Sequence, residues 1–509
     1  MQAPSRRVLA VSLLLALTGI FCEMGHTPVT IEAAQSQSFN AGANAVPVEP
    51  FLASNGLTPL PTQYQGPMFS LSHEWPAEPM PQIKDAPWLN AIGGGPITTA
   101  NAAAYVAAMK DYVSANARLW LLDYAHWDAA KAQWYNEPWL GSERESIHGT
   151  YAAGQFGPDI FPHTGLKTTF DTFVIAYYDR RAAATLSKVW GPTAMTPDVQ
   201  TANFQFPEGS VIVKAAVFIS DDPAQQNNWW PVTDGAAAWP IYVGVPEQKP
   251  GPPAVLTAYV MQFDIVVKDT VASPKTGWVF ATLVYDAKAK GDAWDRMVPL
   301  GAQWGNDPGV DPTKDKKAKL EETWINPAAP KYATETLGWG GRLSGPNDGG
   351  RNDIQVGKKE LSNHPNSSCM SCHGPAEWQP EQHKQVSFLL PSYPNPQAGA
   401  PPYQVCPAGD PRGTDICSPA PDSADWAKWF QDRPGSEPQD QGSVATDYDM
   451  VFAFKTLPAW WKATGPKDAP MPFALRSLNH GAQPAARYNQ YSGAPLKPPP
   501  AVVHKVSSW

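Results

Sequence analysis

Cysteine is scarce in this chain, with five in 509 residues. That excludes a disulfide scaffold, which needs a dense framework of bridges. Charged residues are also thin, at 17 %, against a usual ~25 %. The net charge is −9, from 38 basic and 47 acidic residues, which leaves no basic footprint for nucleic acid. Beyond residue 22 no apolar run reaches the ~18 residues of a spanning helix. What is plentiful is proline: 55 residues, about twice average usage. Proline at that density excludes a helical bundle or long coiled coil, because it removes a backbone donor and clashes in helix interiors. Hydrophobic residues make up 43 %, enough for a core and too many for disorder throughout. Length alone suggests about three domains at roughly 150 residues each.

Residues 1–22 read as a secretory signal: Arg6 and Arg7 are followed by an apolar stretch from Val8 to Phe21, too short to span a bilayer. An uncleaved N-terminal anchor is the alternative. Export implies a periplasmic or other oxidising compartment, and no transmembrane helix after cleavage. Residues 23–95 form a Pro-rich extended arm or linker. Apolar spacing predicts a helix over about 100–117, and the aromatic segment from Leu119 to Tyr135 reads as a second one. A strand is predicted at 168–178 and a short helix from Arg180 to Trp190. Three further runs, at 210–219, 259–267 and 277–285, are rich in β-branched and aromatic residues and read as strands. Helices before and after a set of strands predict an α+β architecture. The charge-dense stretch 311–322 reads as an exposed helix or loop, and 374–446 as a long irregular excursion.

Cys369-Met370-Ser371-Cys372-His373 is C-x-x-C-H. Two thiols three positions apart on one helical turn can each add to a haem vinyl group, and the adjoining His then ligates the iron. A redox dithiol would want a thioredoxin-like context, and a zinc site a second ligand pair. Neither accompanies the motif, so one covalent haem c is the reading. Cys406 and Cys417 bracket a Pro/Gly/Asp loop and are expected to form a local disulfide. Sixth-ligand candidates are Met450, Met471, His383, His480 and His364. An open iron is the other possibility.

Four short segments resemble the cytochrome P-460 and cytochrome c-prime-beta family of periplasmic c-haem proteins. They are Phe206-Pro207-Glu208-Gly209-Ser210-Val211-Ile212-Val213-Lys214, Gly277-Trp278-Val279-Phe280 with Val284-Tyr285, the haem motif with Ser368, and Thr446 to Phe452. They occur in the family's order and cover about a fifth of the chain. The resemblance implies an antiparallel β-sheet packed with helices and holding haem, here a single domain over 96–509. Long loop insertions fall at about 220–256, 287–365 and 374–443. It makes Met450 a packing residue at the haem edge.

The resemblance also implies a lysine crosslinked to the haem, at Lys214, and a distal carboxylate acting as base, at Asp264. In the strand pattern, Lys214 shares a face with Ile212 and Ala216. A desolvated amine there is a nucleophile. The plain alternatives are an edge-strand charge guard or a side chain snorkelling to water. Asp264 shares a face with Gln262, which also reads as a solvent-facing side. The implied function is binding and oxidising a small nitrogen compound, hydroxylamine or nitric oxide, at an open iron, with a redox partner protein. Alternatives are a non-enzymatic gas-binding cytochrome and a His/Met electron carrier. A third is a structural or carbohydrate-contacting module. The tryptophan clusters (Trp229-Trp230, Trp460-Trp461, Trp294, Trp304, Trp324 and Trp339) read as packing or as the cover of a substrate pocket.

Overall fold

The computed structural model describes residues 49–54, 64–78, 83, 85–200, 204–220, 229–243, 254–356, 358–381, 383–385, 417–418, 420–421 and 423–466. The signal segment 1–22, Cys406 with its expected bridge to Cys417, and the ligand candidates Met471 and His480 lie outside the described residues.

An antiparallel sheet packed with helices forms an α+β architecture. Its nine strands are β1 (Trp134–Tyr135), β2 (Tyr151–Phe156), β3 (Phe170–Asp179), β4 (Val211–Ser220), β5 (Ala238–Val243), β6 (Ala254–Lys268), β7 (Trp278–Tyr285), β8 (Met297–Gln303) and β9 (Thr323–Ile325). The path is β1-β3-β4-β6-β7-β8-β9, with β2 also paired to β3 and β5 to β6. The runs of Val, Ile, Phe and Tyr in β3, β4 and β7 suit a pleated surface buried on both faces. In β4–β6 the register passes from Ala216↔Gln262 to Val217↔Val260. Met261 is thus an extra residue that bends β6.

Strand alternation sorts the side chains into two faces. Val279, Ala281 and Leu283 of β7 join Phe263 and Ile265 of β6 in the main core. Helix Ala102–Leu122 covers that side, its Trp120 ring 5.6 Å from Phe263 and 4.8 Å from Tyr177. Trp278 and Phe280 point the other way, toward Tyr178, Phe206 and helix Arg180–Trp190. That helix starts where predicted because Asp179 accepts a hydrogen bond from the Ala182 amide at 2.8 Å.

Several expectations need correction. Leu119–Tyr135 is not one helix. The helix from Ala102 ends at Leu122, a 3₁₀ turn (Tyr124–His126) and a four-residue helix (Ala129–Ala132) follow, and Trp134 starts β1. The reason is local: Asp128 Oδ1 caps Lys131 rather than continuing the earlier helix. Residues 311–322, read as a helix or a loop, are the loop: they contain turns without a helix, the Asp311 carboxylate accepting from the Thr313 amide at 2.8 Å. Segments read as insertions also build the sheet: β5 lies in 220–256, and β8 and β9 in 287–365. In 374–446, Glu377–Gln379 pairs with Val444–Ala445, and Trp426, Trp429 and Phe430 pack with Trp339.

The described part of the arm is tied to this body. Phe69 donates its amide to Ile147 O at 2.7 Å, Ser72 donates to Asn136 Oδ1 at 3.0 Å, and Trp88 is fully buried. Among the described residues no helix is long and apolar enough to cross a membrane.

Candidate functional site

One row of cross-strand partners runs through four adjacent strands: Ala176 of β3, Lys214 of β4, Asp264 of β6 and Thr282 of β7. A second row, Tyr178, Ile212, Val266 and Phe280, lies beside it on the same face. These two rows floor a cleft of about 1360 Å³, counting its open mouth. Cys369, Cys372 and His373 line it from one side, and Tyr448 to Val451 from another. The cleft therefore gathers Lys214, Asp264, Cys369, Cys372, His373 and Met450 from positions up to 236 residues apart.

The short helix Cys369–His373 is built by its neighbours as much as by its own sequence. Ser368 caps it, its Oγ accepting from the Ser371 amide, while Ser371 Oγ accepts from the Ser368 amide at 2.7 Å. The Cys369 amide donates to Leu343 O at 2.9 Å, and Met370 donates to Gln303 Oε1 at 3.1 Å. The approach of the 338 segment is so close that a Cβ on Gly338 would sit 1.8 Å from Ser367 O. Both thiols are unbridged, and burial pushes them up, Cys372 to about 12, so they are protonated at neutral pH. His373 Nδ1 lies 2.8 Å from Tyr448 O. A carbonyl only accepts, so Nδ1 carries the proton and Nε2 keeps a lone pair. Burial pushes this imidazole down to about 4, against the hydrogen bond to Tyr448.

At the other end of the floor, Lys214 Nζ lies 2.8 Å from Asp264 Oδ2 and 3.1 Å from Asp348 Oδ1. Thr282 Oγ1 donates to Asp264 at 2.8 Å. Gln262 Nε2 donates to both carboxylates, 2.9 Å to Asp264 Oδ2 and 2.5 Å to Asp348 Oδ2. Burial raises the Asp264 carboxyl, while the Lys214 ammonium opposes the rise and Asp348 reinforces it. These positions correct two expectations. Lys214 does not guard an edge, because β4 is paired on both sides. Gln262 is fully buried and Asp264 only 8 % exposed, so their side of β6 does not face solvent. Strand alternation tells which residues share a face, but not that the segments around Asn347 and Cys369 cover it.

Within the cleft lining, Tyr178 OH donates to Asp449 Oδ2 at 2.9 Å; away from it, Trp190 Nε1 donates to Glu137 Oε2 at 2.8 Å. Burial raises Asp449 to about 7 and Glu137 well above the carboxylate range. Of the other ligand candidates, His383 stacks on Trp461 with ring centroids 3.6 Å apart and His364 packs on Trp339 at 5.6 Å. Neither lines the cleft. The clustered tryptophans do not line it either; Trp229, Trp230 and Trp294 sit in the core on the opposite face.

Sequence reading missed Asp348, Tyr178 and Asp447. Asp348 sits in a Gly-Pro-Asn-Asp-Gly-Gly turn (345–350), where an acidic residue reads simply as turn chemistry. Among the described residues no cluster of three or more His, Cys, Asp or Glu could hold a metal ion by itself. No family model, curated protein or solved structure matches the chain.

Proposed function

We propose that this chain is an exported mono-haem c-type cytochrome with a P-460-like haem domain, binding and oxidising a small nitrogen compound. One observation carries the reading: the C-x-x-C-H helix opens onto the same cleft as the Lys214–Asp264 pair. The cleft fits the group. It is broad, largely apolar in its second row, and edged by two protonated thiols and an imidazole whose Nε2 lone pair is available.

A haem bound there would supply an iron that binds a small ligand and exchanges electrons with a redox partner. Cys369 and Cys372 would hold it as thioethers, and His373 Nε2 would ligate it. Lys214 is the residue for a further crosslink. Such a bond would replace a C–H of the macrocycle by C–N, releasing two electrons to an external oxidant, and the amine would first have to lose the proton that Asp264 Oδ2, 2.8 Å away, is placed to take. With haem bound, Asp264 and Asp348 would be the groups placed to accept protons from a substrate N–H or O–H, with Gln262 and Thr282 holding Asp264 in place.

A second reading, a ligand-binding protein without turnover, has one observation in its favour: the Lys214 ammonium engages Asp264 and so competes for the base.

The purified exported protein is expected to give one covalent haem per chain in a pyridine haemochrome assay. Cys369→Ser and Cys372→Ser should each leave a single thioether. Peptide mass spectrometry should find the Lys214 and Cys369–His373 peptides on one haem. The reduced spectrum should shift with carbon monoxide; bands that ignore carbon monoxide would mean six-coordinate iron and remove the open-site reading. Hydroxylamine-dependent reduction of an acceptor separates the oxidase from the binder.

A further inference from the structure

Asp447 and Tyr448 are consecutive non-glycine residues with φ of 48° and 69°. Side chains disfavour this left-handed region, a bulky aromatic most of all, and two in a row persist only where surroundings enforce them. The surroundings here are specific. Lys268 Nζ lies 2.6 Å from Asp447 Oδ1, and Trp278 Nε1 donates to the same oxygen at 2.7 Å. The Phe206 amide donates to Asp447 Oδ2 at 2.8 Å. Both carboxylate oxygens are thus taken, by the end of β6, the start of β7 and the segment before β4. Gly435 lies flush against the group, where a Cβ would come within 1.8 Å of Oδ1. Tyr448 is fixed at its far end too, its hydroxyl donating to Arg433 O at 2.8 Å.

What this turn presents is the Tyr448 carbonyl, 2.8 Å from His373 Nδ1. Phe280 stands against the imidazole at 4.8 Å, edge to face, so the ring has a wall on one side and an acceptor at one corner. A hydrogen bond at Nδ1 sets which way a ligating imidazole faces and increases electron donation from its other nitrogen.

We infer that Asp447 is a positioning residue for His373: clamped by Lys268, Trp278 and Phe206, it holds the 447–448 backbone left-handed and thereby aims the Tyr448 carbonyl at Nδ1. The inference rests on the haem reading of Cys369–His373. Asp447 lines the cleft, but both its carboxylate oxygens are engaged by Lys268, Trp278 and Phe206. It acts through the peptide that follows it, and its effect is on the strength and direction of the His373–iron bond.

The test uses the haem-loaded protein and two variants, Asp447→Ala and Asp447→Asn. Resonance Raman of the reduced protein reads the iron–histidine stretch, redox titration the midpoint potential, and a haemochrome assay the haem per chain. Asp447→Ala is expected to lower the stretching frequency and raise the potential, with one haem per chain retained. Asp447→Asn keeps the acceptor oxygen for Trp278 or Phe206 but loses the ion pair, so its shifts should be smaller and of the same sign. If Asp447→Ala does not accumulate, Asp447→Asn decides. Unmoved stretch and potential at full haem loading would overturn the inference alone, whatever happens to thermal stability. No covalent haem in the unsubstituted protein would overturn the haem reading and this inference with it.

Discussion

At Lys214 the amine meets two carboxylates instead of water. A lysine on a covered strand face is costly unless paired, and here the pairing partners come from β6 and from a distant turn. Titrating residues elsewhere show the reverse balance. Burial lifts the Asp179 carboxyl to about 6 although the Ala182 and Val211 amides donate to it. In the unfolded chain the group returns to its ordinary value near 3.9. Between about pH 4 and 6 the folded state therefore binds more protons, so stability falls as pH rises through that window and levels off above it. Asp179→Asn keeps a capping oxygen and removes the titration. The variant's stability relative to the parent should rise by about 2 kcal/mol between pH 4 and 6.5, as read by urea unfolding at each pH. A difference independent of pH would contradict the raised value.

A five-residue helix such as Cys369–His373 has no independent stability. Its existence depends on the Ser368–Ser371 capping box and on Gln303 and the Leu343 carbonyl reaching its first turn. Ser368→Ala removes the cap and leaves Gln303 Nε2 without its partner at 3.1 Å. The expected cost is about 1 kcal/mol, seen as a lower urea midpoint, and on the proposed haem reading slower or incomplete haem attachment because the two thiols lose their common turn. Full attachment at unchanged stability would show that the cap is dispensable. The longer helix Arg180–Trp190 needs less help, since its Ala-rich sequence and Asp179 cap already favour it.

Among the described residues, the nine-stranded sheet has two different faces. The face under helix Ala102–Leu122 is a closed core containing Trp120, Phe263, Trp239 and Trp294. The opposite face carries the cleft. Because side chains alternate along each strand, damage on one face need not reach the other. Trp120→Ala should cost about 3–5 kcal/mol by leaving a cavity among those rings, measured by thermal or urea unfolding. On the proposed haem reading, the midpoint potential of the haem-loaded protein should stay as it was. A shift as large as that of Asp447→Ala would show the two faces to be mechanically coupled.

The strands at the heart of the site were legible as runs of β-branched and aromatic residues, and helix Arg180–Trp190 was legible from its Ala-rich sequence. β5, β8 and β9 were not, because β5 and β8 are interrupted by Pro or Gly and β9 is only three residues long, and each pairs with a longer neighbour. The C-x-x-C-H motif stood out because its chemistry depends on spacing along the chain, which sequence states directly. Asp348 did not, because nothing local distinguishes it from any turn aspartate; its meaning comes from lying 3.1 Å from Lys214. By itself the sequence determined the strand-rich segments, the α+β class and the pairing of two thiols with a histidine, since these depend on residues close together along the chain. Only the tertiary structure decided that Lys214 and Asp264 are register partners on a covered face, and that a left-handed turn brings a carbonyl to His373. Both follow from contacts between segments far apart in the chain, which local propensity does not encode.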